Sequence, residues 1–456
     1  MDHAADDARH LTAAEQGRAI AAGRLDPVAL AEAYLEAIES HPAGSLAYAR
    51  TTRARALSEA AAARDRAQTG NRLGPLDGVP VSWKDLVDSA GTATEAGTRL
   101  MAGRVPEADG EVLARATATG AVCLGKTHLS EIAFSGLGFN PMTATPPNRH
   151  DARLAPGGSS SGAAASLAFG LAALAIGSDT GGSVRIPAAW NDLVGLKTTF
   201  GLIPNTGTVA LAPSLDTIGP LARSVEDAAL GLGLLTGTSA PALPTPAPQT
   251  ASEGAPLRLY VPEDVVLDAL DPGIAAAFED ALDRLARAGA QIARGPMPLF
   301  SRTVETAATQ SWIVNAEAWA VWGAAMDASP DTLYPRIEDR VRTGTTVPPE
   351  RLATARETFA TLGRETAAFI AEHGMLAMPA VPNRAPPIAR LAADPDYYVE
   401  QNLLALRNTR LANLLALSAL TLPTGHPMAG LMLMAGPFEE AALLIAGAQA
   451  EQALRA

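Results

Sequence analysis

Residues 155–199 read APGGSSSGAAASLAFGLAALAIGSDTGGSVRIPAAWNDLVGLKTT. The stretch contains two clusters of glycine and serine, at residues 157–162 and 181–183, and the run between them carries no charge before Asp179. Glycine permits positive φ angles and lets the backbone approach a ligand closely. Exposed N–H groups in such turns stabilise an anion or a developing oxyanion. The two clusters therefore predict a backbone shaped around a ligand rather than a flexible linker.

This stretch resembles the signature of the amidase signature family, in which a GGSSGG-like turn and an alanine-rich helix precede G-T-D-x-GGS-x-R-x-P-A. Here residues 177–188 read GSDTGGSVRIPA, and Ser159 and Ser183 lie 24 positions apart, as in the family. Residues 78–85, GVPVSWKD, resemble the family's G-[VI]-P-[VI]-x-x-K-D and supply Lys84. The resemblance covers the whole chain and is strongest between about residues 75 and 225.

The resemblance implies a hydrolase that cleaves amide bonds through a Ser–cis-Ser–Lys triad and an acyl-enzyme intermediate. In this chain Ser183 would be the nucleophile, and Lys84 would be the base. Ser159, after a cis peptide bond from Gly158, would relay the proton between them. A lysine with an ordinary pKa is protonated at neutral pH, but burial lowers that pKa. The apolar residues around Lys84 favour such a setting.

The resemblance also implies an oxyanion hole made by backbone N–H groups of the nucleophile and of Thr180, Gly181 and Gly182. Glycine suits positions 181 and 182 because side chains would crowd this loop. We interpret Asp179 and Arg185, which flank the loop, as structural support that holds its shape by pairing.

One further stretch resembles the part of the family that lines the acyl pocket, and it predicts substrate contacts at Ala133, Phe134, Ser135 and Gly136. Ser160 and Ser161 are interpreted as structural residues that help to start the next helix. The seven histidines show no HExxH motif or paired metal spacing, so the sequence predicts no metal. The resemblance implies no cofactor.

Two motifs point to other classes of protein. Residues 158–162 satisfy G-x-S-x-G around Ser160, but the α/β-hydrolase elbow needs a later acid and histidine, and only His373 and His426 follow. Residues 120–127 satisfy the P-loop pattern. A P-loop needs a strand before its first glycine, whereas here the apolar run lies between the glycines. Both motifs are therefore interpreted as structural.

Composition narrows the class of protein. The net charge of −13 and the pI of about 5.1 argue against direct binding of nucleic acid. A single cysteine, Cys123, excludes an internal disulfide and lies in an apolar run that predicts a buried strand. The first residues show no secretory signal, and no apolar run has the length of a membrane span. We expect a cytoplasmic protein without membrane contact.

The pattern along the chain predicts an α/β fold: one large domain with a central mixed, twisted sheet and helices on both faces. Residues 1–70 are predicted as a helical segment packed on the core, with a capping box at Thr12 and an N-cap at Asp26. Residues 71–235 would form the signature core and 236–256 a Pro/Ala-rich connection. Residues 257–456 would complete the sheet and cover the substrate pocket. Strands are expected at 78–84, 120–126, 171–176, 257–262, 291–294, 375–382 and 419–425, and a helix is expected to start at 128–134.

Three functions are compatible with these residues. We favour a stand-alone hydrolase of small amides that releases ammonia or an amine, with a small-molecule substrate as its partner and a homodimer as a possible assembly. The first alternative is the glutaminase A subunit of a glutamyl-tRNA amidotransferase, which the signature core does not distinguish. The second is a non-catalytic binding protein of the same fold. The presence of Lys84, Ser159 and Ser183 together argues against it.

Overall fold

The computed structural model describes residues 3–243, 256–309 and 313–455. Residues 244–255, the larger part of the predicted Pro/Ala-rich connection, lie outside the described residues. Within those ranges the chain forms an α/β fold around one sheet.

The sheet contains eleven strands among the described residues. They are β1 (Tyr48–Thr51), β2 (Pro80–Lys84), β3 (Val122–Thr127), β4 (Leu174–Asp179), β5 (Val194–Lys197), β6 (Thr217–Ala222), β7 (Arg258–Pro262), β8 (Gln291–Gly295), β9 (Met375–Pro379), β10 (Ser418–Pro423) and β11 (Gly430–Ala435).

The strand order is β1-β3-β2-β4-β6-β5-β10-β11-β9-β7-β8. Strand β2 pairs in parallel with β3 and β4, and β7 pairs in parallel with β8 and β9. The remaining pairs are antiparallel, so the sheet is mixed, as predicted. The second half of the chain contributes β7 to β11, which extend the same sheet.

The helices of the described residues cover the sheet. They are α1 (His3–Ala8), α2 (Ala13–Ala21), α3 (Pro27–Ser40), α4 (Gly44–Ala47), α5 (Arg53–Gln68), α6 (Glu111–Ala118), α7 (Ser161–Ala168), α8 (Arg185–Trp190), α9 (Val225–Thr236), α10 (Pro272–Arg287), α11 (Pro298–Thr309), α12 (Ile313–Ala328), α13 (Pro335–Arg342), α14 (Pro349–His373), α15 (Ile388–Ala393), α16 (Pro395–Leu406), α17 (Arg410–Leu414) and α18 (Glu440–Arg455). Short 3-10 turns lie at Arg99–Met101, Glu131–Ala133 and Thr343–Thr346.

The central strands are buried on both sides. Every residue of β2, β3 and β4 is buried, and because successive side chains of a strand point to opposite faces, both faces of the sheet must be covered. One continuous hydrophobic cluster runs from Ala8 to Leu454. The chain is therefore a single α/β domain flanked by helices.

Several local predictions are confirmed. Thr12 and Glu15 form the capping box of α2, and the carboxylate of Asp26 accepts hydrogen bonds from the first turn of α3. Cys123 is buried in β3, and burial raises its pKa to about 11. No helix within the described ranges is long and apolar enough to cross a membrane.

Three local predictions differ from the structure. The helix expected from residue 128 is replaced by a single 3-10 turn, because Ile132 and Ala133 have φ angles of 44° and 60°, which an α-helix cannot contain. The strand expected at 171–176 begins three residues later, at Leu174, and ends at Asp179. Strand β1 lies within the segment expected to be helical and pairs antiparallel with β3.

Candidate active site

The two glycine–serine clusters are in direct contact. The N–H of Ser160 donates a 3.1 Å hydrogen bond to the carbonyl of Ser183, and Ser160 Oγ donates to the carbonyl of Ser178 at 3.2 Å. The peptide bond between Gly158 and Ser159 is cis. The fold therefore places Ser183 directly beside the residue that follows Ser159.

Lys84 is the last residue of β2 and is fully buried. Because β2 and β4 are parallel neighbours, with Trp83 opposite Ile176, their carboxyl ends meet at the same edge of the sheet. There Lys84 Nζ lies 2.7 Å from Ser159 Oγ and donates a 2.8 Å hydrogen bond to Ser178 Oγ. The predicted lysine thus contacts the first serine cluster directly.

Burial lowers the pKa of Lys84 to about 7, although the negative charges of Asp179 and Asp216 oppose part of the effect. A group whose pKa lies near neutrality exchanges protons readily at that pH. At neutral pH a large share of the Lys84 amine is therefore uncharged and able to accept a proton.

The signature loop, residues 180–184, is held by the carboxylate of Asp179. Its two oxygens accept hydrogen bonds from the N–H of Gly182 at 2.8 Å and from the N–H of Val184 at 3.0 Å. Arg185 pairs with the same carboxylate at 2.9 Å, and both side chains are completely buried. Burial alone would raise the pKa of Asp179, but the charge and hydrogen bonds of Arg185 hold it below its usual range. The predicted pair is present and fixes the shape of the loop.

The second half of the chain also supports the loop. Arg185 donates to the carbonyl of Thr409 at 2.6 Å and to Asn413 Oδ1 at 2.7 Å. Asn413 Nδ2 in turn donates to Asp179 Oδ1 at 2.9 Å. Thr409, which precedes α17, and Asn413, within it, are therefore part of the same buried network.

The two glycines of the loop are not equivalent. Gly182 has a φ of 138°, and a Cβ there would meet Thr409 Oγ1 at 2.1 Å. A Cβ on Gly181 would meet only Leu406, at an ordinary contact distance of 3.5 Å. Crowding therefore requires glycine at position 182 but not at position 181, where the sequence also predicted it.

The predicted oxyanion hole needs a correction at Gly182, because its N–H already donates to Asp179. Within the described residues, the N–H groups of Thr180, Gly181 and Ser183 have no hydrogen-bond acceptor. These are the groups available to bind an oxyanion. Thr180 is fixed separately, since its hydroxyl donates a 2.6 Å hydrogen bond to Asp216 Oδ1.

A cavity lies beside the signature loop and encloses about 740 Å³ of empty space, part of it open to solvent. Ser183 lines this cavity together with Thr180 and Gly181, whereas Lys84 and Ser159 are fully buried and do not line it. The four residues predicted to contact substrate also line it, namely Ala133, Phe134, Ser135 and Gly136.

Hydrogen bonds hold the cavity wall at Ser135 and Gly136 in place. Asn402 Oδ1 accepts hydrogen bonds from the Gly136 N–H at 2.8 Å and from Ser135 Oγ at 3.2 Å. The hydroxyl of Tyr398 donates to Ser135 Oγ at 2.9 Å. Residues of α16 thus position the part of the cavity that the sequence assigned to substrate.

The rival motifs have structural roles. Ser160 is fully buried, precedes α7 without capping it through its side chain, and bridges to Ser178 instead. The P-loop-like run forms β3, and its Lys126 donates to Asp85 and Thr94 in the interior. In the part of the chain that the structure describes, no group of three or more His, Cys, Asp or Glu residues could hold a metal ion.

A family model described as Amidase matches residues 29–444, which is most of the chain. The chain belongs to the amidase family.

Relatives of this amidase-family chain extend over nearly its whole length. It is 37% identical to the 2-amino-5-chloromuconic acid deaminase of Comamonas testosteroni, over 96% of this chain and 95% of the relative. It is 32% identical to the A subunit of the glutamyl-tRNA(Gln) amidotransferase of Chloroflexus aurantiacus, again over 96% and 95%. A crystal structure of an amidase superposes with a TM-score of 0.85 at 29% identity, covering 97% of this chain and 99% of the other. The family and these relatives identify a hydrolase of carbon–nitrogen bonds.

Sequence reasoning missed several residues of this amidase-family site. Ser178 contacts Lys84, and its place at the end of a strand beside the lysine strand was a usable signal. Asn402 and Asn413 reach the site from more than 200 positions away, with no local motif to mark them. The same holds for Arg340 and Arg410, which line the cavity.

Proposed function

We propose that the protein hydrolyses small amides through an acyl-enzyme on Ser183, with Ser159 as proton relay and Lys84 as base. The observation that carries the proposal is the buried contact of 2.7 Å between Lys84 Nζ and Ser159 Oγ, beside a cavity lined by Ser183. A nucleophilic hydroxyl needs a neighbouring base, and a lysine serves when its pKa is near the working pH. Burial provides that condition, because it lowers the pKa of Lys84 to about 7.

In the first half of the reaction Ser183 Oγ attacks the amide carbon. Its proton passes to Ser159, and the proton of Ser159 passes to neutral Lys84. The hydrogen bond from Lys84 to Ser178 helps to orient the amine, which in its neutral form can accept the proton of Ser159. The N–H groups of Thr180, Gly181 and Ser183 stabilise the oxyanion, a type of interaction worth about 10²–10³-fold in rate per donor.

The tetrahedral intermediate then collapses, and the carbon–nitrogen bond breaks. The proton held on Lys84 returns through Ser159 to the leaving nitrogen, which departs as ammonia or an amine. A water molecule attacks the Ser183 ester with the same base, and the carboxylic acid product leaves. The protein supplies every proton transfer in this sequence, so no cofactor enters the proposal.

The alternative function is that of the A component of an amidotransferase, which the 32% identity to the Chloroflexus aurantiacus protein favours. The higher identity to a deaminase, 37% over the same share of the chain, favours release of ammonia by a stand-alone enzyme. A cytoplasmic location, a homodimer and the absence of direct nucleic-acid contact stay predictions.

The test compares wild type with Ser183→Ala for release of ammonia from small amides and from glutamine. Ser161→Ala is the matched control, because Ser161 Oγ is buried and has no partner among the described residues. We expect Ser183→Ala to remove turnover and Ser161→Ala to retain it within about threefold. Mass spectrometry with an acyl-directed covalent probe should place the label on the peptide that contains Ser183.

Equal rates from wild type and Ser183→Ala would refute Ser183 as the nucleophile. Ammonia release from glutamine alone, accelerated by a copurified partner, would support the amidotransferase function instead.

A further inference from the structure

The described residues that line the cavity beside Ser183 include two arginines and no carboxylate. Arg340 and Arg410 line it, and its other described lining residues are apolar or uncharged, without aspartate or glutamate. The pocket of an enzyme for plain aliphatic amides has no need of two cations. Their presence in an otherwise uncharged wall requires an explanation.

Arg410 begins α17 and has no partner for its charge among the described residues. Its Nε is buried without a hydrogen-bond acceptor, and the side chain forms no ion pair there. Burial lowers the pKa of Arg410. Arg410 as a whole is half-buried, and a partly desolvated cation without a counter-charge is compensated when a ligand brings the opposite charge.

Arg340, on α13, is fixed in place but not neutralised. One guanidinium nitrogen donates a 2.9 Å hydrogen bond to the carbonyl of Phe134, and the guanidinium lies 4.0 Å from the centre of the Phe134 ring. Its pKa falls to about 10, mainly through burial, and the positive charge of Arg410 adds to the effect. The positive charges of the two arginines therefore repel each other, and an anion bound in the cavity that both line would relieve this repulsion.

Two carboxylates on segments that line the cavity are already engaged. Asp216, in the small adjoining cavity, accepts hydrogen bonds from Thr180 and from two backbone N–H groups. Glu317 pairs with Arg356 and accepts hydrogen bonds from Ser214. Neither forms an ion pair with either cavity arginine in the described part of the chain.

We propose that Arg340 and Arg410 bind a carboxylate on the acyl part of the substrate, so that the enzyme hydrolyses monoamides of small dicarboxylic acids. The planar guanidinium groups present several N–H donors in the geometry that a carboxylate accepts. Apolar walls that include Leu211, Ile313 and Leu406 fit the short carbon chain between amide and carboxylate. The inference rests on the proposed function, because it assigns the substrate class of the same site.

The same charges select against an α-ammonium group. Glutamine and glutaramate differ only by that group, which would lie in a cavity with two cations and no lining carboxylate. Glutaramate is therefore the better substrate of the pair.

The experiment measures kcat/KM for succinamate, glutaramate and adipamate against butyramide, valeramide, hexanamide and glutamine. The variants are Arg410→Met and Arg340→Met. The control is Arg407→Met, since Arg407 shortly precedes Arg410 and does not line the cavity. For wild type we expect at least about tenfold preference for the best acidic amide over its neutral counterpart and over glutamine. Arg410→Met should lower the acidic value about 10- to 100-fold and leave the neutral value within about threefold.

A second measurement does not depend on turnover. Calorimetry should detect binding of glutarate or succinate to Ser183→Ala, and weaker binding to the double variant with Arg410→Met. If neutral and acidic amides are hydrolysed equally in a Ser183-dependent reaction, the subsite is refuted and the proposed function stands. If no amide is hydrolysed, the proposed function fails, and dicarboxylate binding alone decides the subsite. Absence of dicarboxylate binding overturns it.

Discussion

Lys84 and Lys197 are two buried lysines with the same shift in pKa and different surroundings. Each ends a strand, β2 or β5, and each is at most 1% exposed. Burial is the main cause that lowers the pKa of both to about 7. Lys84 contacts two hydroxyl groups at 2.7 and 2.8 Å, whereas Lys197 donates to the carbonyls of Thr198 and Leu417, both at 2.8 Å.

The difference lies in what the partners can do with a proton. A hydroxyl both accepts and donates, so Ser159 can pass a proton between Lys84 and a second serine. A carbonyl only accepts a hydrogen bond, so the partners of Lys197 orient the amine without relaying its proton. The lowered pKa is common to both buried lysines, so our proposal of Lys84 as the base depends on its hydroxyl partner.

The largest effect is expected from removal of the Lys84 amine. Lys84→Met keeps a side chain of similar length and should lower kcat/KM about 10²–10⁴-fold, because general base catalysis by a positioned group contributes that much. Ammonia release from the best amide measures the loss, and thermal denaturation shows whether the variant is folded. A folded Lys84→Met that keeps more than a tenth of the activity would rule out Lys84 as the base.

The residues that we propose as catalytic could be predicted from the sequence because they lie in short motifs. Lys84, Ser159 and Ser183 each belong to a contiguous pattern of glycine, serine and charged residues. Lys197 lies at the end of the same signature stretch, yet nothing in its local sequence shows that it is buried against Leu417. The contacts of Arg410 with the cavity likewise depend on packing across hundreds of positions.

The fold class could also be predicted from the sequence, but the predicted sheet lacked several of the strands that the structure contains. Strands β5 and β6 were missed because they are short or contain Gly219 and Pro220, residue types depleted in strands. Strand β1 has only four residues, and three of them are half-buried, so it shows no clear alternation. Long-range pairing with β3 stabilises it, which a local pattern does not record.

The pH dependence of kcat/KM also tests the comparison between Lys84 and Lys197, with a smaller expected effect. In the proposed mechanism Lys84 accepts a proton only when it is neutral, and its pKa is lowered to about 7. The value of kcat/KM should therefore rise about tenfold per pH unit below pH 7 and level off above it. Profiles between pH 5 and 9 for wild type and Lys197→Met should share one midpoint.

Asp216→Asn is the control for this profile. Burial raises the pKa of Asp216 to about 6, and the residue contacts Thr180 in the signature loop. Because the negative charge of Asp216 raises the pKa of Lys84, Asp216→Asn should keep the titration and move its midpoint to lower pH. Loss of the titration in Asp216→Asn would assign it to Asp216 instead of Lys84. A midpoint near the ordinary lysine pKa of 10.5 would contradict a neutral base at pH 7.

The smallest change in activity is expected for Lys197→Met, which should keep kcat/KM within about twofold.

The main effect of Lys197→Met is expected on the pH dependence of the free energy of unfolding. The pKa of Lys197 is about 7 in the folded chain against 10.5 for an ordinary lysine, so between these pH values the unfolded state binds more protons. The free energy of unfolding therefore rises with pH across this window, by about 1.4 kcal/mol per pH unit for one such group, and reaches its minimum below pH 7. Urea denaturation at pH 7, 8 and 9 should show a smaller rise in the free energy of unfolding with pH for both variants. Lys197→Met lacks the contribution of Lys197, and Lys84→Met lacks the contribution of Lys84. If Lys197→Met remained folded but lost as much activity as Lys84→Met, the difference between hydroxyl and carbonyl partners would not explain which lysine is the base.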